Sequence, residues 1–156
     1  MDFEIGPAIA AGLVGGGVMI MMLYAGIVMM PKQMRMNLLL MLGTMMGFSG
    51  SMAYIVGLMM HMGASVGFGI AHAAVFATGD IEDLVLVWGI AFGLAHALIS
   101  GMMLTMMPAM HPEMRSGRME APGFMALGLG IPTGMGFMML HGVFGALVGV
   151  LYSVWI

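Results

Sequence analysis

The fold is decided by MAYIVGLMMHMGASVGFGIAHAAVFAT at residues 52–78, GDIED at 79–83 and LVLVWGIAFGLAHALISGMMLTMM at 84–107. Two runs free of Asp, Glu, Lys and Arg flank a turn that carries three carboxylates. A helix needs about 20 mostly apolar residues to cross the hydrocarbon core of a bilayer. Both runs exceed that, so this stretch reads as a pair of antiparallel transmembrane helices joined outside the membrane.

The same pattern recurs on either side of the pair. Residues 8–30 form an uncharged run stopped by Pro31, Lys32 and Arg35, and residues 133–155 form the last. The sequence therefore predicts an all-α bundle of four transmembrane helices in a single domain, residues 1–156, with spans at 8–30, 52–78, 84–107 and 133–155. Two apolar segments are too short or too broken to cross. Residues 36–48 end in Ser49-Gly50-Ser51 and are expected to form an interfacial or half-buried helix. Residues 122–132, punctuated by Gly and Pro, are expected to lie at the interface or to re-enter. Met1-Asp2-Phe3-Glu4 offers neither a basic n-region nor a small-residue cleavage site, so the first span does not read as a cleaved signal peptide.

Composition agrees. Charged residues are 7% of the 156, against about 25% in a soluble domain, and mean hydropathy is +1.08. Too little charge is present to solvate a globular surface, to bind nucleic acid or to keep a chain disordered. Cys is absent, which excludes disulfides, thiolate zinc sites and iron–sulfur clusters. No acid/base pair, nucleophile constellation or phosphate-binding loop is visible, so the chain does not read as an enzyme.

The few charges fix a sidedness. Lys32 and Arg35 follow span one, and Arg115 and Arg118 lie between spans three and four. With four spans these places share a side, while Asp2, Glu4, Asp80, Glu82 and Asp83 fall opposite. The expected location is the cell (inner) membrane, where the positive-inside rule puts both termini outside and the basic loops in the cytoplasm. Trp88, Tyr152 and Trp155 suit an aromatic belt on the outer side.

Glycine supplies the packing. Gly12/Gly16, Gly63/Gly67, Gly89/Gly93 and Gly145/Gly149 are GxxxG pairs, one per span. Lipid tails are as apolar as Leu, so membrane helices associate through the close approach that small residues allow. Such faces serve the bundle itself, and some are available to other membrane-protein subunits.

Ionisable groups inside spans are reduced to histidine: His61 and His72 in span two, His96 in span three, His141 in span four. Counting rise per residue puts His96 near the midplane, His141 and His61 within about 6 Å of it toward the basic side, and His72 about 10 Å toward the other. His61, Ser65, Phe68 and His72 share one stripe of their helix, and His141, Gly145, Val148 and Tyr152 share another. Imidazole is a common metal ligand and the usual axial ligand of haem. His61, His96 and His141, with His72 beyond, are the expected ligands for copper or for a haem b. Alternatively each imidazole hydrogen-bonds within the bundle, or the set relays protons.

Methionine, at 26 residues, points to soft-metal chemistry, because thioether sulfur favours Cu(I). Met107, Met110, His111 and Met114 cluster around the basic end of span three, where Pro108 and Pro112 are expected to break the helix into an exposed Met/His loop. Met19, Met21, Met22, Met29 and Met30 in span one have no neighbouring His, which favours a packing role for much of the methionine.

Several short pieces carry a resemblance: Met106-Met107-Pro108-Ala109-Met110-His111-Pro112, Ala121-Pro122-Gly123-Phe124, and His141-Gly142-Val143-Phe144-Gly145 with Tyr152. With His61 and Gly67-Phe68-Gly69, they resemble a family of small, mostly uncharacterised four-span prokaryotic membrane proteins, a domain of unknown function. The resemblance spans residues 8–152 in outline and implies four helices and a shared Met-Pro/His-Pro loop; it implies no activity.

The expected function is thus a non-enzymatic membrane subunit or binding protein holding copper or haem through its histidines, within a larger membrane complex. The alternatives are a purely structural accessory subunit and a small transporter or proton relay.

Overall fold

The computed structural model describes residues 2–156. Its helices are α1 (Ile5–Met29), α2 (Leu38–Met45), α3 (Gly50–Thr78), α4 (Val85–Met110), α5 (Pro112–Arg115) and α6 (Ile131–Trp155), with a 3-10 segment at Phe124–Leu129. No strand occurs among the described residues. The four long helices have 25, 29, 26 and 25 residues and are apolar enough to cross a membrane. The expected all-α four-helix bundle is therefore present, with helix ends within a few residues of the predicted ones. One boundary needs correction: Pro108 does not end α4, which runs to Met110. A proline this close to the C-terminus removes one hydrogen bond and leaves the ladder before it intact.

The long helices pack in the order α3–α1–α6–α4. Glycine allows the contacts. A Cβ on Gly93 or Gly145 would run into the backbone of the facing helix, so α4 and α6 touch main chain to main chain. A Cβ on Gly12 would lie 2.5 Å from the Ser65 carbonyl oxygen, and α1 and α3 meet there. The Gly63/Gly67 pair behaves otherwise: nothing lies within 4 Å of either added Cβ, and both face away from the bundle. That pair contributes nothing to packing within the chain.

Both short apolar segments fold back along the helices. α2 packs on the start of α3, where Gly57 opposes Leu39 and Gly43 opposes Ala53. Leu39 thus sits about 10 Å along α3 from Gly50, and α2 brings the chain back out. Asn37 caps α2 by accepting from the Leu40 amide (3.2 Å) and the Tyr24 hydroxyl (2.7 Å), and its amide donates to the Tyr54 hydroxyl (2.9 Å). The 3-10 segment lies between α4 and α6, with Met125 against Gly101 and Leu127 against Gly134.

The ends of the bundle carry different chemistry. The loops holding Lys32, Arg35, Arg115 and Arg118 share one end, where Arg35 pairs with Glu120 and Thr133 donates to the Gln33 carbonyl at 2.7 Å. At the other end the Tyr152 hydroxyl donates to the Asp2 carbonyl (2.9 Å) and accepts from the Glu4 amide (2.8 Å). The predicted grouping of basic residues on one side is what the fold displays.

Candidate metal-binding site

α4 makes its close contacts with α6, and α3 makes its own with α1 and α2. Between α3 and α4 the chain leaves a cavity of about 450 Å³ toward the basic end. Ten of its 25 lining residues are Met, against 26 of 156 in the whole chain, so methionine is concentrated here beyond its general abundance. His61, His96 and His141 line it, with Ser65, Ser100 and Thr133 as the other polar side chains.

The predicted stripes hold. His61, Ser65 and His72 are buried on one face of α3, with Phe68 half-buried beside them; His141, Gly145, Val148 and Tyr152 are buried on one face of α6. The three histidines that come into ring contact differ from those expected by depth. His96 is central: its ring centroid lies 4.8 Å from His141 and 5.8 Å from His72, edge to face in both cases. His72 was expected about 10 Å away along the membrane normal. Opposed side chains of antiparallel α3 and α4 lean toward each other and close that gap, which a count of rise per residue ignores. His61 turns instead to α1, with Nε2 placed 3.1 Å from the Gly16 carbonyl oxygen as donor.

Aromatic rings pack the cluster. Phe68 stacks on His96 at 3.4 Å between centroids, and Phe144 meets the edges of His72 and His96 at 5.6 and 5.4 Å. Phe68 belonged to the α3 stripe legible in the sequence, but its partner did not follow from that stripe.

Hydrogen bonding divides the histidines. His141 donates from Nδ1 to the Phe137 carbonyl at 2.8 Å, which leaves Nε2 with a free lone pair. That is how metal-binding histidines are commonly oriented. His61 is satisfied through Gly16. By contrast, both ring nitrogens of His72 and Nδ1 of His96 are buried without a partner. The Phe92 backbone lies beside His72 but outside hydrogen-bond geometry. A neutral imidazole always carries one N–H, and burying a polar group unpaired costs about 1–3 kcal/mol.

The loop candidates fare unequally. Met107 and Met110 line the cavity. His111 is fully buried, and the predicted exposed loop is instead a packed corner. Its Nε2 donates to the Met41 carbonyl at 2.9 Å, with the Thr44 hydroxyl at 3.2 Å, while Nδ1 accepts from the Glu113 amide at 3.2 Å. Both nitrogens are engaged in tying α5 to α2, so His111 has no lone pair left for a metal. Met114 is buried with Met36 and Met107 and does not reach the cavity.

Among the described residues no group of three or more His, Asp or Glu side chains converges to hold a metal without other ligands. That geometry does not meet the four ligands of a structural zinc site. Direct contact between His96 and His141, with Phe68 stacked on His96, leaves no slot between the rings for a porphyrin. The fold and site together define a four-helix membrane bundle with a buried histidine cluster at the head of a methionine-lined cavity. The chain matches no family model, no curated protein and no solved structure.

Proposed function

We propose that this chain is a non-catalytic membrane protein that binds Cu(I) at His96 and His141, with the His72 ring packed against His96. The observation that carries the reading is the pair of buried, unpartnered imidazoles His72 and His96, 5.8 Å apart beside His141. Internal hydrogen bonding accounts for His61, His111 and His141, and leaves these two unexplained. A soft ion of low coordination number fits a place where two imidazoles head a thioether-lined cavity and, among the described residues, no three His, Asp or Glu side chains converge. Haem fits poorly, because it needs a gap that packed rings fill.

The test is Cu(I) titration of the detergent-purified protein under reducing conditions. One equivalent binds the unaltered chain and His61→Ala, whereas His96→Ala and His141→Ala lose it. An unaltered chain that retains no copper overturns the reading.

A second reading, a structural subunit within a larger membrane complex, is favoured by the outward Gly63/Gly67 face of α3. It predicts that the chain co-migrates with other chains on native gels in mild detergent and that Gly63→Leu abolishes this. The positive-inside rule would set the basic loops in the cytoplasm in either case.

A further inference from the structure

His96, Ser100, Met103 and Met107 all line the cavity, and they recur at the i, i+4, i+7, i+11 spacing of one helical face. Met110 continues the line at the cavity's far end. Exposure alternates along it: Met110 is 55% exposed and Met103 60%, while Met107 between them is 6% exposed and His96 at the inner end 7%. Measured along α4, Met110, Met107 and Met103 lie about 21, 16 and 10 Å from His96. The three methionines are thus spaced by about 4–6 Å of rise, and the last step, from Met103 past Ser100 to His96, spans about 10 Å. Met60 of α3 and Met45 of α2 face them across the cavity. No Asp, Glu, Lys or Arg lines this path, so it offers no carboxylate to a hard, hydrated cation.

We infer that the methionine face of α4 is a loading route that hands Cu(I) from the basic-loop end of the bundle to the histidine cluster. The inference rests on the copper reading above and adds how the ion reaches the site. Each transfer between methionines forms one Cu–S bond as another breaks, and delivery to the cluster forms a Cu–N bond to an imidazole lone pair as the last Cu–S bond breaks; copper stays Cu(I), and no proton or electron moves. Thioethers are neutral, so a passing ion displaces no proton from them. A single thioether binds weakly enough to release the ion onward, and the imidazoles at the end retain it.

Two measurements on the same preparations separate the route from the site. Equilibrium competition with a colorimetric Cu(I) chelator reports the site, and stopped-flow transfer from that chelator reports the route. Met103→Leu with Met107→Leu conserves side-chain volume and removes both sulfurs. Transfer to this variant is expected to slow by at least about tenfold, with equilibrium affinity within about threefold of the unaltered chain. Met139→Leu, away from the cavity, transfers normally. An unchanged rate in the double variant overturns the route and leaves the site standing. A collapse of its equilibrium affinity also overturns the route, because the methionines would then be ligands. If melting shows that the double variant is misfolded, each single variant is expected to slow transfer by about threefold, and unchanged single-variant rates overturn the route. Failure of the unaltered chain to bind Cu(I) removes the site and the route together.

Discussion

Phe68 of α3 lies flat on His96 of α4, with ring centroids 3.4 Å apart and planes 22° from parallel. This stack is one of the ring contacts by which α3 and α4 meet beside the cavity, with His72–His96 and Phe76–Phe92, and it covers one face of the central histidine. Removing the ring should therefore expose His96. Phe68→Ala is expected to speed modification of His96 by an imidazole-directed reagent, read by mass spectrometry, and to lower stability by about 1–2 kcal/mol through lost packing. His61, held by Gly16 on α1, should react at its original rate.

The glycine contacts predict unequal sensitivity within one residue type. Gly145→Ala places a methyl group into the backbone of α4 and should cost about 2–3 kcal/mol, because both helices must separate. Gly63→Ala meets open space and should fall within about 0.5 kcal/mol of the unaltered chain. Thermal unfolding in detergent measures both.

His111 is expected to behave as a structural residue. His111→Ala leaves the Met41 carbonyl and the Glu113 amide without their partner, at a cost of about 2–4 kcal/mol. Cu(I) stoichiometry should nevertheless stay unchanged when measured below the melting transition. A loss of copper in a folded His111→Ala protein would return this residue to the ligand set.

Glu113 and Arg118 supply a pH dependence at the basic end. The guanidinium donates to both carboxylate oxygens at 2.6 and 2.7 Å and holds Glu113 below its ordinary carboxylate value. A lowered pKa stabilises the fold only while the carboxylate is ionised. The pair's contribution is therefore full at neutral pH and is lost as pH falls through the lowered value. Melting curves of Glu113→Gln and the unaltered chain should differ at pH 7 and converge in acid. The difference should be small, because both groups are exposed.

The bundle was legible because the bilayer imposes length and charge rules that act on sequence directly. Uncharged runs gave the four helices, and Arg35, Arg118 and their neighbours gave the common end. The helical stripes of α3 and α6 were legible for the same reason, since they depend only on 3.6 residues per turn. What failed depended on three dimensions. Gly63/Gly67 has the spacing of a packing motif, but the face it occupies is decided by which side of α3 the other helices take. His72 was misplaced because depth was counted along an axis while its ring leans toward α4. His111 looked exposed because Pro108 and Pro112 were read as breaks, whereas α4 runs through the first and α5 starts at the second. The concentration of methionine around one cavity was invisible in a chain with methionine everywhere.

Copper K-edge absorption spectroscopy on the Cu(I)-loaded protein tests the central claim most directly. The account predicts a low-coordinate Cu(I) spectrum with nitrogen scatterers at about 2.0 Å and the multiple-scattering pattern of two imidazoles, lost in His96→Ala. A first shell made only of sulfur, or a protein that emerges from purification and reloading without copper, would contradict it.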